Sequence, residues 1–280
     1  MTMRFPIEFT KMSGTGNDFI LIDHRTPFLS REEMPAFARA VCERRVSAGA
    51  DGLIFIEQSE TADFRWQFLN GDGSWAEMCG NGARCAARFA FTLGIAPARM
   101  RFETVAGLIE AEVTGQSVKL KMTAPTGLRL QEKLVVNGEE QVVHSLNTGV
   151  PHAVLFLEDI RQAPVLEMGR ALRFHEHFQP AGTNVNFVQA QPGNGLIVRT
   201  YERGVEGETL ACGTGAVSAA IIAGLLGQVR PPVAVTTSGG EQLTIHYTLA
   251  GQEISEVSLE GPANFIYEGR LHAEALRMKS

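Results

Sequence analysis

Short apolar and alternating runs dominate the chain. Phe19–Asp23, Leu53–Glu57, Arg65–Leu69, Val118–Met122 and Val154–Leu157 are rich in β-branched and aromatic residues, and they predict strands. The style returns at Leu196–Tyr201, Ala234–Thr237 and Leu243–Tyr247. Helical patterns are fewer. Ser30-Arg31-Glu32-Glu33 reads as a capping box opening a helix toward Arg45. A second helix is predicted from about Gly80 to Leu93 with Gly94 as its C-cap, and a third from about Gly213 to Leu226 with Gly227. The stretch Ala216–Leu226 is apolar nearly all round, which predicts burial.

The last two helices reveal an internal repeat. Cys79-Gly80-Asn81-Gly82-Ala83 matches Cys212-Gly213-Thr214-Gly215-Ala216 at an offset of 133, and nine of 16 positions from 79 to 94 equal their partners. Keeping that offset puts Gly16 on Gly149, Gly49 on Gly182, Asp51 on Asn184, Phe68 on Tyr201, Asn70 on Arg203 and Gly107 on Gly240, with no insertion between 16 and 107. Asn17 falls on Val150. A tandem duplication follows. The boundary is expected near Pro125, where Pro and Gly read as a linker. The expected halves are 1–124 and 125–263, with 264–280 packing back on the first. Duplicated units commonly pair about a pseudo-two-fold axis. The expected fold class is α/β (α+β): two pseudo-symmetric, strand-rich domains, each a barrel-like sheet around a central helix.

The chain has 280 residues, a net charge of −6 and no basic run, which argues against a nucleic-acid or anionic-membrane partner. The first eleven residues lack the apolar core of a signal peptide. The apolar stretch within 216–227 is short of the roughly 20 residues a membrane span needs. A soluble, cytoplasmic protein is expected. Its four cysteines, Cys42, Cys79, Cys85 and Cys212, make no C-x-x-C pair, so neither a disulfide framework nor a zinc site has support. Cys42 and Cys85 read as buried core thiols.

Cys79 and Cys212 read differently. Each stands at the start of a helix and is followed by Gly-x-Gly. A helix N-terminus carries unpaired N–H donors and partial positive charge. It lowers a thiol pKa and can bind a carboxylate. A base beside a carboxylate nest is what removal of an α-proton requires. Two such cysteines, one thiolate and one thiol, would supply base and acid to opposite faces of a carbon. Glu202-Arg203 offers a carboxylate for an ammonium group and a bidentate clamp for a carboxylate. His152 taken alone reads as structural, and His175-Glu176-His177 as a solvated segment rather than a metal pair. Gly14-Thr15-Gly16 lacks the third glycine of a dinucleotide fingerprint, and no P-loop or pyridoxal-phosphate lysine motif is present.

With these residues in place, the sequence resembles the diaminopimelate epimerases over its whole length. The resemblance rests on Lys11-Met12-Ser13-Gly14-Thr15-Gly16-Asn17-Asp18-Phe19, Phe68-Leu69-Asn70-Gly71-Asp72-Gly73-Ser74 and Met78-Cys79-Gly80-Asn81-Gly82-Ala83-Arg84-Cys85. It continues through Pro151-His152-Ala153-Val154, Gly182-Thr183-Asn184, Tyr201-Glu202-Arg203-Gly204 and Ala211-Cys212-Gly213-Thr214-Gly215. It implies an active site in a cleft between two α/β halves. It also implies interconversion of LL- and meso-diaminopimelate in lysine and peptidoglycan synthesis, without cofactor or metal. Cys79 and Cys212 are then the acid–base pair. Asn17, Asn70, Gly80, Asn81, Asn184, Glu202, Arg203, Gly213 and Thr214 bind substrate, and His152 and Glu202 tune the thiols. Tyr267 resembles a tyrosine at a homodimer contact. Gly52 and Val150 depart from the family pattern, standing where some members carry a substrate-binding Gln and many an Asn. A proline racemase-like enzyme, a non-catalytic amino-acid binder and a thiol switch are the alternatives. Asn81, where the proline racemases carry His, and the Glu202-Arg203 pair speak against the first.

Overall fold

The computed structural model describes residues 3–251 and 253–276. The chain divides into two units, Met1–Leu120 with Pro262–Ser280, and Lys121–Gly261. In the first unit β1 (Ile7–Gly14) lies antiparallel to β2 (Asn17–Asp23), β2 parallel to β3 (Gly52–Glu57), and β3 antiparallel to β4 (Phe64–Asn70). Next come β5 (Arg99–Thr104), parallel to β4, then β6 (Gly107–Thr114) and β7 (Ser117–Lys121), each antiparallel to its predecessor. The C-terminal strand β17 (Asn264–Leu271) pairs with the other side of β1.

The second unit repeats this plan. β8 (Thr126–Val136) pairs with β9 (Glu139–Asn147), β9 is antiparallel to β10 (Pro151–Phe156), and β10 is parallel to β11 (Asn184–Gln191). β11 is antiparallel to β12 (Gly195–Glu202), which also pairs with the short β13 (Gly207–Thr209). β12 runs parallel to β14 (Val233–Thr236), and β15 (Gln242–Ala250) and β16 (Glu253–Pro262) follow antiparallel. In both units a parallel pair, an antiparallel pair and a second parallel pair succeed one another in the same order.

Each parallel connection carries a helix. α1 (Met34–Cys42) and α3 (Val165–Arg173) follow β2 and β10; α2 (Gly80–Thr92) and α4 (Gly213–Leu225) follow β4 and β12. The inner helices α2 and α4 keep the 133 offset at both ends. Residues 216–223 of α4 are all buried, against β9, β10, β11, β12, β14 and β15, as their apolar composition requires. Gly94 and Gly227 end the inner helices with φ of +67° and +74°, the left-handed conformation that a C-capping glycine adopts without strain. Among the described residues no helix is long and apolar enough to cross a membrane.

The helix expected from Ser30 begins at Met34 and ends at Cys42. Glu33 Oε2 accepts from the Ser30 backbone N–H at 2.8 Å, one of the two bonds of a capping box, while residues 31–33 form a turn. Arg45, at φ +72°, lies beyond the helix. The sequence reading passed over α3, although Glu167 in its first turn and Arg170 and Arg173 in its last mark a helix.

The uninterrupted offset also needs correction. Phe19 pairs with Gly52, whereas its equivalent His152 pairs with Asn184. The first half therefore has one more residue between Gly49 and β3 than the second has between Gly182 and β11, and returns it before Cys79. Through β3 and β4 the offset is 132, because Ile54 faces Phe68 in the ladder as Asn186 faces Thr200. Asn184 thus corresponds to Gly52, Tyr201 to Leu69 and Glu202 to Asn70. Side chains alternate faces along a strand, so a slip of one exchanges inside for outside. The cores agree with the shorter offset. Leu53, Phe55 and Leu69 cluster with α1, and Val185, Phe187 and Tyr201 cluster with α3.

Tyr201 also explains Gly169 on α3. A Cβ there would lie 2.6 Å from the Tyr201 Cβ. Helix propensity alone favours Ala over Gly by about 1 kcal/mol, but overpacking costs about 1–3 kcal/mol. Gly169→Ala is expected to lower the unfolding midpoint in a denaturant titration, and a raised midpoint would show that α3 is free to move away.

Candidate active site

In the first unit Cys79 is the N-cap of α2, with extended backbone at φ −146° and ψ 119°. Its carbonyl accepts the first helical bond, from Ala83 at 2.8 Å. The N–H groups of Gly80 and Asn81 precede that bond, in the turn where an α-helix leaves its donors without intrahelical acceptors. Nothing lies within 4 Å of the point a Gly80 Cβ would occupy, so a ligand can approach this backbone. The second glycines of the two motifs serve packing instead. A Cβ on Gly82 would touch Ile54 at 3.2 Å, and one on Gly215 would lie 2.3 Å from Asn186 Oδ1.

Asn81 is buried and joins Asn17. Its Nδ2 donates to Asn17 Oδ1 at 2.6 Å, while its Oδ1 accepts from Arg84 at 2.9 Å. Arg84 is itself fully buried and donates to Pro262 O at 3.2 Å and to the Thr15 hydroxyl. Asn17 Nδ2 donates to Asp51 Oδ2 at 3.1 Å. Asp51 ties this pair to an ionic cluster, because Arg44 bridges Asp51 at 2.9 Å and Asp18, and Lys11 pairs with Asp18 at 2.7 Å. Burial alone would raise the Asp18 pKa, but the bonds and charge of Arg44 and Lys11 outweigh it and bring it down to about 2. Asn70 stands apart from this pair and donates to Ser74 Oγ at 2.9 Å. Position 52 has no room for a side chain, since a Cβ there would meet the Phe68 ring at 2.8 Å and Leu69 O at 2.9 Å.

In the second unit Cys212 caps α4, with φ −121° and ψ 106°, and its sulfur lies 3.6 Å from Thr214 Oγ1. The Thr148 hydroxyl donates to the Thr214 carbonyl at 3.1 Å, anchoring this turn. Asn184 is buried. It donates to Pro151 O at 3.0 Å and accepts from the Arg203 backbone N–H at 2.9 Å. Arg203 Nη1 donates to Ala181 O at 2.9 Å. The neighbouring Glu202 accepts from the Thr209 hydroxyl at 2.8 Å, and burial pushes its pKa up while that bond opposes the shift.

His152 is 1% exposed. Burial, reinforced by the Arg203 charge, pushes its pKa down to about 3. Its Nδ1 lies 3.1 Å from Asn186 Nδ2, and its Nε2 is buried with no hydrogen-bond partner. Asn186 and its neighbour Thr200 escaped the sequence reading. The signal for them was a polar residue at an inward position of an apolar strand. His175 and His177 are half-buried rather than solvated: His175 Nε2 lies 3.2 Å from Val135 O, and His177 Nε2 lies 3.2 Å from Glu132 Oε2. Cys42 and Cys85 are buried, and burial raises the Cys42 thiol to about 12.

The sequence model of the diaminopimelate epimerase family matches residues 9–127 and 144–266, one segment in each half. The diaminopimelate epimerase of Aquifex aeolicus is 49% identical over 96% of this chain and 99% of its own length. That of Archaeoglobus fulgidus is 42% identical over 97% and 98%. The chain belongs to the diaminopimelate epimerase family. Solved structures outside the epimerases of this substrate share its fold. A phenazine biosynthesis protein of the PhzF family from Bacillus anthracis superposes with a TM-score of 0.75 at 15% identity, covering 96% of this chain and all of its own. A hydroxyproline epimerase from Agrobacterium vitis does so at 0.68 and 17%, covering 97% and 92%. At such identities only the architecture is shared.

The buried His152 has a consequence for any diaminopimelate epimerase built this way. The unfolded chain binds a proton at this histidine near pH 6.5, and the folded protein refuses it until about pH 3. Unfolding is therefore favoured progressively as pH falls from about 6.5, at about 1.4 kcal/mol per unit. From pH 7 to pH 5 the loss from this group is expected to be about 2 kcal/mol. Denaturant titrations at the two pH values should show a smaller drop in His152→Gln by about that amount. Equal drops would show that His152 protonates without cost in the fold.

Proposed function

We propose that the protein interconverts LL- and meso-diaminopimelate by a two-base mechanism carried by Cys79 and Cys212, in lysine and peptidoglycan synthesis. The observation that carries this reading is the pair of cysteines, each at the N-cap of a largely buried helix and followed by Gly-Asn or Gly-Thr backbone, with open space at Gly80, in a member of this family. The thiolate of one cysteine takes the α-proton and becomes a thiol. The electron pair of the broken C–H bond is held on the α-carbon and its carboxylate, facing helix N–H groups. The thiol of the other cysteine gives its proton to the opposite face and becomes the thiolate, so the enzyme ends with its two protonation states exchanged. No cofactor or metal takes part.

The polar residues divide the remaining work. Asn17, Asn70, Asn81 and Asn184 orient the substrate. Glu202 receives an ammonium group, and Arg203 a carboxylate through its remaining guanidinium donors. Such charge-assisted bonds contribute about 1.5–3 kcal/mol each. The reaction belongs in the cytoplasm, where thiols stay reduced.

Incubating the enzyme with one isomer in heavy water tests the mechanism. Deuterium is expected in the inverted product from the first turnovers, while unreacted substrate stays protiated. Cys79→Ala and Cys212→Ala are each expected to abolish inversion with unchanged circular dichroism. Full activity in either variant sinks the two-base reading.

The chain also reads as a homodimer through β17. Ile266 and Tyr267 there are 55% and 46% exposed, and Tyr267 meets Phe9 edge-on at 5.9 Å. Sedimentation velocity should return a species of twice the chain mass, and a monomer at micromolar concentration would remove this contact.

A further inference from the structure

The inward positions of β2, β3 and β4 in the first unit are Phe19, Ile54 and Phe68, all buried, with the two rings 6.0 Å apart edge to face. The same pleat positions in the second unit are His152, Asn186 and Thr200, at 1%, 0% and 3% exposure. The fold fills these positions with hydrocarbon in one half. The architecture therefore does not need the polar trio, whose burial is unfavourable unless every group is bonded.

The hydrogen bonds of the trio have one consistent direction. Asn186 Nδ2 lies 3.0 Å from the Ala153 carbonyl, an obligate acceptor, which fixes the amide nitrogen on that side. With the amide so fixed, its Oδ1 faces the Thr200 hydroxyl, which donates to it at 2.9 Å. One amide hydrogen serves Ala153, and the second points to His152 Nδ1 at 3.1 Å. An N–H donor opposite Nδ1 leaves Nδ1 as an acceptor. In the neutral ring the hydrogen must then sit on Nε2, the atom left buried and without a partner.

We propose that Asn186 and Thr200 are positioning residues that lock His152 in its Nε2–H tautomer, so that His152 serves the epimerase reaction as a fixed hydrogen-bond donor to an anion and not as a base. The proposal rests on the epimerase reading for the reaction it serves. The tautomer itself does not depend on that reading. The buried ring strengthens this role, since a group that stays neutral at pH 7 keeps its donor. A ring with the opposite tautomer would present a bare lone pair to a thiolate or carboxylate and repel it.

Long-range proton–nitrogen correlation spectra of protein labelled with ¹⁵N-histidine read the tautomer directly. Wild type is expected to show a protonated Nε2 and an unprotonated Nδ1 at His152, assigned by its loss in His152→Gln. A protonated Nδ1 overturns the proposal whether or not the protein turns over diaminopimelate. Asn186→Asp replaces the donor with an acceptor and is expected to move the hydrogen to Nδ1. In that variant kcat should fall about 10- to 100-fold with little change in KM, the loss of one charge-assisted bond. Thr200→Ser, which keeps the hydroxyl, should retain both the tautomer and kcat. Asn186→Asp with the tautomer switched and kcat unchanged would show that His152 is no donor in the reaction. Deuterium incorporation absent from wild type, with the Nε2–H tautomer present, would sink the epimerase reading alone.

Discussion

A helix that is apolar nearly all round must be enclosed on every side, and in α4 it is strands that enclose it. Residues 216–223 are all buried, and six strands of its unit pack around it. Its axis is thereby fixed, and with it the turn at which it starts. Cys212 sits at that start, so the position of its sulfur follows from the packing of hydrocarbon below it. α2 is held in the same way within its own unit, with the difference that Arg84 enters the core and spends its donors on Pro262, Asn81 and Thr15. Rigid elements supporting a site are what precise proton transfer needs.

The two units furnish this common scaffold differently. Around Cys79 the polar groups form a chain that runs from Asn81 through Asn17 to Asp51, Arg44, Asp18 and Lys11. Arg44 and Asp51 are exposed, whereas Lys11 at the end of that chain is buried against Asp18. In the second unit the ladder positions that hold Phe19, Ile54 and Phe68 in the first carry a buried neutral network of His152, Asn186 and Thr200. Architecture alone would not identify a ligand, since proteins of about 15% identity carry the same fold under other names.

The register slip shows how tightly geometry and chemistry are linked here. Glu202 and Asn70 occupy matching strand ends, and Asn184 matches Gly52, where the Phe68 ring leaves no space for a side chain. A single added residue before β3 and its removal after β4 suffice to keep both inner helices in step while exchanging which residues face inward.

Much of this was legible in the residues themselves. The duplicated Cys-Gly-x-Gly motif, the apolar inner helix, the capping glycines and the family resemblance are local patterns, and local patterns survive in one dimension. The strands Arg99–Thr104, Thr126–Val136 and Glu253–Pro262 were missed because much of each is exposed and their composition is mixed, and Ile7–Gly14, mostly buried, because Glu8, Thr10 and Lys11 interrupt its apolar run. Tertiary structure alone decided the pairing of Asn184 with Arg203, the union of Asn17 with Asn81, and the direction of the Asn186 amide. These depend on which strand lies beside which, and in what register. A sequence gives the residues that can bond; only the assembled sheet brings a donor on one strand within 3 Å of an acceptor on another.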